Sequence, residues 1–359
     1  MAGRGDVGSG GVGSGGAGWG GAARAAAEAY RQRWKRRRLL LRAWASRRDL
    51  VAVADRTAAI APGDILAFAC VRNEGARLPY FLDHHRALGV RQFLIVDNGS
   101  DDGSAAMLAT QGDVSLWQTG AAYRDSRFGM DWLGALLRRH GAGHWCLTLD
   151  ADEVLIYPDW QARDLRALTG WLDARGAPAF AAMLLDLYPK GRLSAVTHHP
   201  GQDPVQALPY FDAGPYDRAV QPRYGQTDIR GGMRRRVFFA DAPERAPHLH
   251  KLPLVKWQWR QAYLSSTHIA LPRRLNAAFA KADLPTGILL HTKFLPGVLA
   301  KSAEEQTRQQ HFTHPGAYDP YYDRILTDPD LWYEGAQRLE GWQQLQALGL
   351  MQGGDWQRL

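Results

Sequence analysis

Apolar runs of strand length alternate with amphipathic segments of helix length between residues 64 and 149. The apolar runs are DILAFACV (64–71), RQFLIV (91–96), DVSLW (113–117) and HWCLTL (144–149). The segments between them include RLPYFLDHHRALG, a short stretch over 104–111 and FGMDWLGALLRRHG (128–141). A continuous apolar run is typical of a strand that is buried on both faces. The alternation therefore predicts an α/β fold, with a mostly parallel sheet and helices on both of its faces.

Composition changes divide the rest of the chain. From about 197 to 250 the sequence is rich in Pro, Gly, His and Arg and has little periodicity, which predicts a system of irregular, functional loops. The last 60 or so residues have helical character and exposed charge. We therefore predict an N-terminal extension (1–60), an α/β domain (61–297) and a helical C-terminal segment (298–359).

The predicted N-terminal extension lacks the apolar residues of a core. Residues 1–22 are rich in Gly, Ser and Ala, and GSGGVG (8–13) matches G-x-G-x-x-G only by composition, because no strand precedes it. We expect this extension to be largely disordered or to form a peripheral helix. The basic stretch RQRWKRRRLLLRAWASRRDL (31–50) indicates either a solvated helix or one lying on an anionic membrane.

Charge and cysteine content narrow the function classes. The net charge of +8 is compatible with an anionic partner, but no nucleic-acid-binding module is recognisable. Cys70 and Cys146 lie inside apolar runs and are typical of buried thiols in a reducing compartment. No stretch approaches the ~20 apolar residues of a membrane span, and no secretory signal is recognisable. We predict a cytoplasmic protein, either free or held at the inner face of the membrane.

Acidic and polar side chains follow three of the predicted strands. Asp150, Asp152 and Glu153 follow the fourth apolar run in LTLDADEV, RNE (72–74) follows the first, and Asp97 follows the second. Because ligands bind outside the carboxyl ends of the strands in open α/β sheets, we expect these groups to converge on one edge. Taken alone, the carboxylate cluster is compatible with a solvated turn, a metal site or a nucleophile.

The motifs in CVRNEGARLPYFLDHHRALGVRQFLIVDNGSDDGS and CLTLDADE resemble a bacterial branch of the family 2 glycosyltransferases. That branch carries RNE, DNGS-x-DGS and then D-x-D, and the resemblance covers residues 64–157. It implies a GT-A type, Rossmann-like sheet with irregular loops on the acceptor side. It also implies an enzyme that transfers a sugar from a nucleoside-diphosphate sugar to a saccharide or lipid-linked acceptor. The resemblance further implies that the transfer inverts the anomeric centre and serves the synthesis of cell-surface polysaccharide or glycoconjugate.

The resemblance implies roles for individual residues. Asp97 would contact the nucleoside, and Asp150 and Asp152 would hold a divalent ion, Mn²⁺ or Mg²⁺, against the diphosphate. A hard divalent ion held by carboxylates offsets the charge that grows on a departing diphosphate. Arg72 stands where the family often has an aromatic residue that stacks on the base, so its guanidinium would stack or contact phosphate.

A late histidine is a predicted third metal ligand. His291 follows the apolar run in LLHTKF, as a strand-end ligand would, and Lys293 points the same way two residues later. Imidazole favours Mn²⁺ over Mg²⁺. A core histidine is the alternative interpretation, and His268 is a competing ligand. The predicted donor-binding residues are Arg72, Asn73, Glu74, Asp97, Asp150 and Lys293, and the predicted metal ligands are Asp150, Asp152 and His291.

An inverting transfer also needs a carboxylate that deprotonates the acceptor hydroxyl. The candidates are Asp186 in LLDLYP, Asp212 in YFDAGPYD and Asp228. Asp186 ends an apolar run, which would bring it near the cleft. Arg234 and Arg236 in GGMRRRVF are candidates for a diphosphate clamp, although an exposed basic loop has the same composition.

Two other function classes stay open. LTLDADEV also fits the D-x-D-x-[TV] pattern of haloacid dehalogenase-like phosphatases, with Asp150 as the nucleophile. In those enzymes, however, the motif follows the first strand of the domain, and here it follows the fourth. A catalytically inactive module that binds nucleotide or carbohydrate is the second alternative, and the intact D-x-D argues against it.

Overall fold

A computed structural model of the chain describes residues 16–308 and 319–358. The first 15 residues, which include the GSGGVG match, lie outside the described residues. The helices are α1 (Gly16–Ser46), α2 (Leu78–Ala87), α3 (Ser104–Thr110), α4 (Met130–His140), α5 (Leu165–Ala174), α6 (Pro204–Ala207), α7 (Gly232–Phe238), α8 (Val298–Arg308), α9 (Asp319–Leu326) and α10 (Trp342–Ala347). The strands are β1 (Val51–Ala54), β2 (Ile65–Val71), β3 (Val90–Asp97), β4 (Val114–Gln118), β5 (Trp145–Thr148), β6 (Glu153–Ile156), β7 (Ala179–Asp186), β8 (Tyr210–Phe211), β9 (Tyr216–Val220), β10 (Thr227–Gly231), β11 (His250–Lys256), β12 (Ala262–Ser265), β13 (Ile269–Leu271), β14 (Gly287–His291) and β15 (Gln337–Arg338).

Within the described residues, one nine-stranded sheet forms the centre of the molecule, in the order β1-β4-β3-β2-β5-β11-β7-β14-β6. Strands β2, β3, β4, β5, β7 and β14 run in one direction, and β1, β6 and β11 run in the other. Each of the four apolar runs is a strand of this sheet. The prediction of an α/β fold with a mostly parallel sheet is confirmed.

Helices cover both faces of the sheet, as predicted. Successive side chains of a strand point to opposite faces, and β2 divides its residues accordingly. Ala67 packs in one hydrophobic cluster with Phe81 of α2, whereas Leu66 packs in a second cluster with Leu133 of α4. The central strands are therefore buried on both sides, which explains why their sequences are continuously apolar.

The N-terminal segment, predicted to be largely disordered or a peripheral helix, forms helix α1 and strand β1, and both pack against the rest of the fold. Strand β1 pairs antiparallel with β4 at one edge of the sheet. Helix α1 packs against α4 with Leu39 and Ala43 buried. Arg42 Nη2 of α1 lies 2.8 Å from Asp131 Oδ2, and the side chain of Asp131 is almost completely buried. The contact face of α1 is narrow and is hidden in sequence by the many arginines around it.

The region predicted to be irregular contains a β-hairpin and a helix. Strands β9 and β10 pair antiparallel, and α7 follows directly. Strand β9 is exposed along most of its length, so its sequence carries no burial pattern. No helix among the described residues is long and apolar enough to cross a bilayer.

The connection from β5 to β6 positions the carboxylates. These strands are separated by the four residues 149–152, yet in the sheet β11, β7 and β14 lie between them. The D-x-D segment therefore passes along the end of the sheet. At that end of the sheet, His291 of β14 lies opposite Asp186 in the register with β7 and opposite Glu153 in the register with β6. Strand β11 runs in the opposite direction, so its first residues lie at the same edge.

Candidate active site

A cavity of about 1040 Å³ lies at this edge of the sheet, and its wall contains Asp150, Asp152 and Glu153. One ligand oxygen from each of the three side chains lies within 4.8 Å of the others. The side chain of Asp150 is 52% exposed, that of Asp152 is 23% exposed and that of Glu153 is buried. Arg72 and Asn73 line the same cavity as the carboxylate cluster. The structure therefore brings the RNE motif and the D-x-D motif together.

Lys251 of β11 binds two of the three carboxylates. Its Nζ lies 2.9 Å from Asp150 Oδ2 and also contacts Glu153 Oε1. Burial alone would lower the pKa of this lysine, but the two carboxylates outweigh burial and raise the pKa. Sequence reasoning missed Lys251. A lysine inside the apolar run HKLPLVK is the signal that could have found it, because a buried lysine requires an acidic partner.

Glu153 is buried beside like charges. Burial raises its pKa to about 7, Lys251 opposes that rise, and Asp150 and Asp152 add to it. The backbone N–H of Asp150 donates to Glu153 Oε2 at 3.3 Å. Glu153 therefore holds a proton more tightly than a free carboxyl group does, and it fixes the start of the D-x-D turn.

His291 lies between two carboxylates. Its Nε2 is 3.2 Å from Asp152 Oδ2, and its Nδ1 is 2.6 Å from Asp186 Oδ1. Burial alone would lower the pKa of His291, but Asp152 and Asp186 outweigh burial and raise it. Burial would likewise raise the pKa of Asp152, but His291 and Arg77 hold it well below its usual range. The structure thus brings His291 to Asp152 as a charged partner. Its role as a metal ligand, which requires loss of the Nε2 proton, stays a prediction.

The geometry argues against Asp186 as the catalytic base, a role that stays a prediction. Arg234 Nε donates to Asp186 Oδ2 at 2.7 Å, and His291 takes the other oxygen. Burial would raise the pKa of Asp186, but Arg234 and His291 lower it to about 2. A general base needs a pKa near the working pH and access to the substrate. Asp186 is buried behind His291 and is absent from the described cavity wall, so it orients the imidazole.

The contacts of Asp212 likewise argue against its predicted role as the base. Arg236 donates to both of its oxygens, at 2.8 and 3.0 Å, and the Tyr188 hydroxyl donates to one of them. The side chain of Asp212 is buried and is absent from the described cavity wall. Arg236 holds Asp212 and is absent from the described cavity wall. Arg234 holds Asp186 through Nε, but it lines the cavity and its Nη2 has no hydrogen-bond partner, so contact with a diphosphate stays a prediction for Arg234.

Asn73 and Arg72 connect the loop after β2 to the loop after β3. Asn73 has a positive φ of 52°, and its Oδ1 accepts a hydrogen bond from the Asp101 N–H at 2.9 Å. Arg72 Nη1 donates to the Asn98 carbonyl at 2.9 Å. Both residues line the cavity, so contact with a donor stays a prediction for each.

Glu74 forms ion pairs with two cations that also line the cavity, Arg77 and Lys301. Arg77 Nη1 and Lys301 Nζ each lie 2.7 Å from one of its oxygens. Arg77 Nη2 also donates to the carbonyl of Lys293 at 3.1 Å, and Lys293 itself lines the cavity. Glu74 therefore positions cationic groups, and its carboxylate is already occupied by Arg77 and Lys301.

Asp97 lies beneath the loop after β3. It is fully buried and accepts hydrogen bonds from the Ser100 hydroxyl, from the Ser100 N–H at 3.2 Å and from Gln118 Nε2 at 3.4 Å. It is absent from the described cavity wall. Its carboxylate thus shapes the DNGS turn, and the predicted nucleoside contact would require these bonds to open.

Comparisons with known proteins give little information about this chain. No protein-family model matches it, and no curated protein sequence matches it. Among solved structures, it is similar to a putative glucose-1-phosphate thymidylyltransferase from Bacillus anthracis in complex with sucrose. The TM-score is 0.28 at 10% identity, over 73% of this chain and 82% of that chain. A likeness at that level carries no weight for function.

Proposed function

We propose that the chain is a metal-dependent glycosyltransferase. It would move a sugar from a nucleoside-diphosphate sugar to a saccharide or lipid-linked acceptor. The observation that carries this proposal is the cluster of Asp150, Asp152 and Glu153 in a large cavity at the carboxyl edge of parallel strands. Ligands of α/β sheets bind at such edges, and the cavity is large enough for a molecule of this size.

The carboxylates fit a divalent metal ion such as Mn²⁺ or Mg²⁺. Asp150 and Asp152 would hold the ion, because their oxygens lie within 4.8 Å of one another and both side chains are partly exposed to the cavity. The low pKa of Asp152 keeps it ionised. A bound ion of this class stabilises the negative charge that develops on a departing diphosphate.

Cations of the chain complete the electrostatics of the donor site. Lys251, Arg77 and Lys293 lie in the same cavity wall as the D-x-D pair. Fixed positive groups that face the developing charge of a leaving group need no reorganisation during the reaction. These residues would bind and orient the diphosphate, and Asp186 would hold His291 against Asp152.

A phosphatase with Asp150 as nucleophile is the less favoured alternative. Its exposed carboxylate beside Lys251 suits nucleophilic attack on phosphorus. Such an enzyme also needs a neighbouring acid that protonates the leaving group near neutral pH. Asp152 is a poor candidate for that acid because its pKa lies well below the usual range, and Glu153, whose pKa is about 7, is buried against Lys251. An inactive binding module remains the outcome if neither chemistry is found.

The direct test is a screen of UDP-, GDP- and dTDP-sugars for release of nucleoside diphosphate, with Mn²⁺ or Mg²⁺ and with EDTA. We expect release from at least one donor only with metal, and its loss in Asp150→Asn and Asp152→Asn. Asp101→Asn, an exposed carboxylate outside the cavity wall, is the matched control. Full release in EDTA would contradict the proposal, and metal-dependent hydrolysis of phosphate monoesters would favour the phosphatase.

We also propose that α1 contacts an anionic membrane surface. Tyr30, Trp34, Leu41 and Trp44 are 46–66% exposed, and their spacing places them on one face of the helix. The guanidinium of Arg37 lies over the ring of Trp34. Aromatic and basic side chains on one exposed face are typical of interfacial helices.

Sedimentation with vesicles of phosphatidylserine and phosphatidylcholine tests this contact. We expect the double variant Trp34→Ala/Trp44→Ala to sediment less than the wild type. Trp259→Ala, which removes an equally exposed tryptophan elsewhere, should sediment normally. Equal sedimentation of all three proteins would refute the membrane contact.

A further inference from the structure

A second group of potential metal ligands lies apart from the D-x-D cluster. It consists of Asp228 on β10, His248 in the preceding loop of β11, and His250 at the start of β11, with one ligand atom of each within 4.8 Å of the others. His248 Nδ1 contacts Asp228 Oδ1, and His250 Nδ1 lies 3.4 Å from the same oxygen. The ring of His268 lies 5.4 Å from that of His250, centroid to centroid.

Among these three side chains, His250 provides the evidence for a bound metal ion. It is 3% exposed; its Nδ1 has only the ion-pair contact with Asp228 at 3.4 Å, and its Nε2 has no partner. An imidazole carries an N–H donor, a lone-pair acceptor or both, and a buried polar group without a partner is costly. A metal ion bound at one ring nitrogen would provide the partner that His250 lacks.

One spacing in the group suits a small coordination shell, whereas the contact between His248 Nδ1 and Asp228 Oδ1 is a hydrogen bond that would lengthen when an ion enters. Zinc–nitrogen and zinc–oxygen bonds of roughly 2.0–2.1 Å in a tetrahedron place neighbouring ligand atoms about 3.3 Å apart. The 3.4 Å between His250 Nδ1 and Asp228 Oδ1 is close to that separation. Arg230 Nε lies 3.3 Å from the other oxygen, Asp228 Oδ2. Such an outer contact orients a carboxylate ligand.

We propose that Asp228, His248 and His250 bind a divalent transition-metal ion of the zinc class. Two imidazoles and one carboxylate favour Zn²⁺ over Mg²⁺ or Ca²⁺, which prefer oxygen ligands only. His248 lines the large cavity, so the ion would lie at the cavity wall. It is a second site, because Asp150 and Asp152 contribute nothing to it.

Binding requires one local proton shift. Arg230 Nη2 lies 3.2 Å from His248 Nε2, so the neutral ring accepts there and carries its proton on Nδ1, beside Asp228. On binding, the proton would move to Nε2, and the Nη2 group would turn away. The other Arg230 contacts, to the carbonyls of Glu244 and Ala246, would stay.

The ion would fix a loop beside the donor site. The ion would join Asp228 of β10 to His248 in the loop before β11 and to His250, the first residue of β11. The next residue of that strand, Lys251, binds Asp150 and Glu153. Strand β11 therefore links the two sites.

Titration of Zn²⁺ into the full-length, EDTA-treated protein tests the proposal. We expect saturable binding whose affinity falls at least tenfold in His248→Ala and in Asp228→Asn. His199→Ala, at an exposed histidine, should bind as the wild type does. Asp150→Asn should keep the binding event that His248→Ala and Asp228→Asn lose, even if it loses binding at the D-x-D pair. Retention of that event in Asp150→Asn separates this site from the D-x-D cluster.

The absence of saturable Zn²⁺ binding, or wild-type affinity in His248→Ala, would overturn the proposal. The His248 side chain is 46% exposed, so this variant is expected to fold even if changes at buried His250 do not. Co²⁺ provides a second readout, because its visible spectrum reports nitrogen ligation. We expect His248→Ala to lose the wild-type Co²⁺ bands, and an unchanged spectrum would refute the assignment.

Discussion

Charges at the edge of the sheet are neutralised in specific pairs. Glu153 has Lys251, Asp152 has His291, and Asp186 has Arg234 in addition to the histidine. Removing one member of such a pair leaves a buried charge, which costs more than the intact pair contributes. Lys251 also contacts Asp150, and His291 also contacts Asp186, so an isosteric neutral substitution of Glu153 or Asp152 leaves neither cation without a carboxylate.

Glu153→Gln should change the pH dependence of stability. The pKa of Glu153 rises from 4.5 to about 7 on folding, so the folded state keeps a proton that the unfolded chain releases. Its contribution to stability is complete below pH 4.5 and is lost as the pH rises through about 7. Urea unfolding in EDTA at pH 5 and pH 7.5 should show a smaller loss for the variant than for the wild type. Equal losses would argue against a raised pKa.

At the scale of elements, the loops after β2 and β3 form one unit. Ser104 Oγ accepts from the N–H of Glu74 at 3.1 Å, and Asp102 Oδ2 accepts from the N–H of Gly75 at 2.8 Å. Asp97 fixes the second loop through Ser100. The turn-forming composition of DNGSDDGS thus serves to hold the RNE loop.

Asp97→Ala should loosen both loops. A hydrogen bond to a charged group contributes about 1.5–3 kcal/mol, so we expect a loss of stability of about that size in urea unfolding, together with weaker nucleotide binding. Asp101→Ala, at an exposed position of the same loop, is the control. Unchanged stability with weakened binding would instead support the direct nucleoside contact that the sequence resemblance implies.

The contact between α1 and α4 can be tested through a glycine. A Cβ atom at Gly134 would lie 3.1 Å from the Cβ of Ala43, whereas one at Gly170 of α5 would meet nothing within 4 Å. Gly134→Val should therefore lower the melting temperature more than Gly170→Val and make α1 more sensitive to protease. Similar effects of both substitutions would mean that α1 does not pack on α4.

The sequence predicted the helices and strands of the α/β core because two patterns are strong there. The buried strands are continuous apolar runs, and the helices have apolar residues on one face. It failed at β1, whose VAVA residues are mostly exposed. At α1 it allowed a peripheral helix but did not predict the narrow buried face, which arginines surround. It could place Asp186 at a strand end but could not identify Arg234, 48 residues away, as its partner. Lys251 was missed for the same reason, since its carboxylate partners lie about 100 residues earlier.

For the whole molecule, the cavity collects residues from distant parts of the chain. Its wall includes Arg38 of α1, Asp152 of the D-x-D segment, Lys251 of β11 and Lys301 of α8. The N-terminal and C-terminal segments therefore contribute to the site that the central sheet defines. The sequence could predict that carboxylates and His291 meet there, but the cations from other elements needed the fold.

Metal-dependent binding of nucleoside diphosphate by the D-x-D pair is the central claim. Calorimetric titration of UDP, GDP and dTDP, each with Mn²⁺ and with EDTA, measures it directly. We predict that at least one nucleotide binds only with Mn²⁺, that Asp152→Asn abolishes this binding and that Asp101→Asn preserves it. Equal affinity in EDTA, wild-type affinity in Asp152→Asn, or no binding of any of the three would contradict the account.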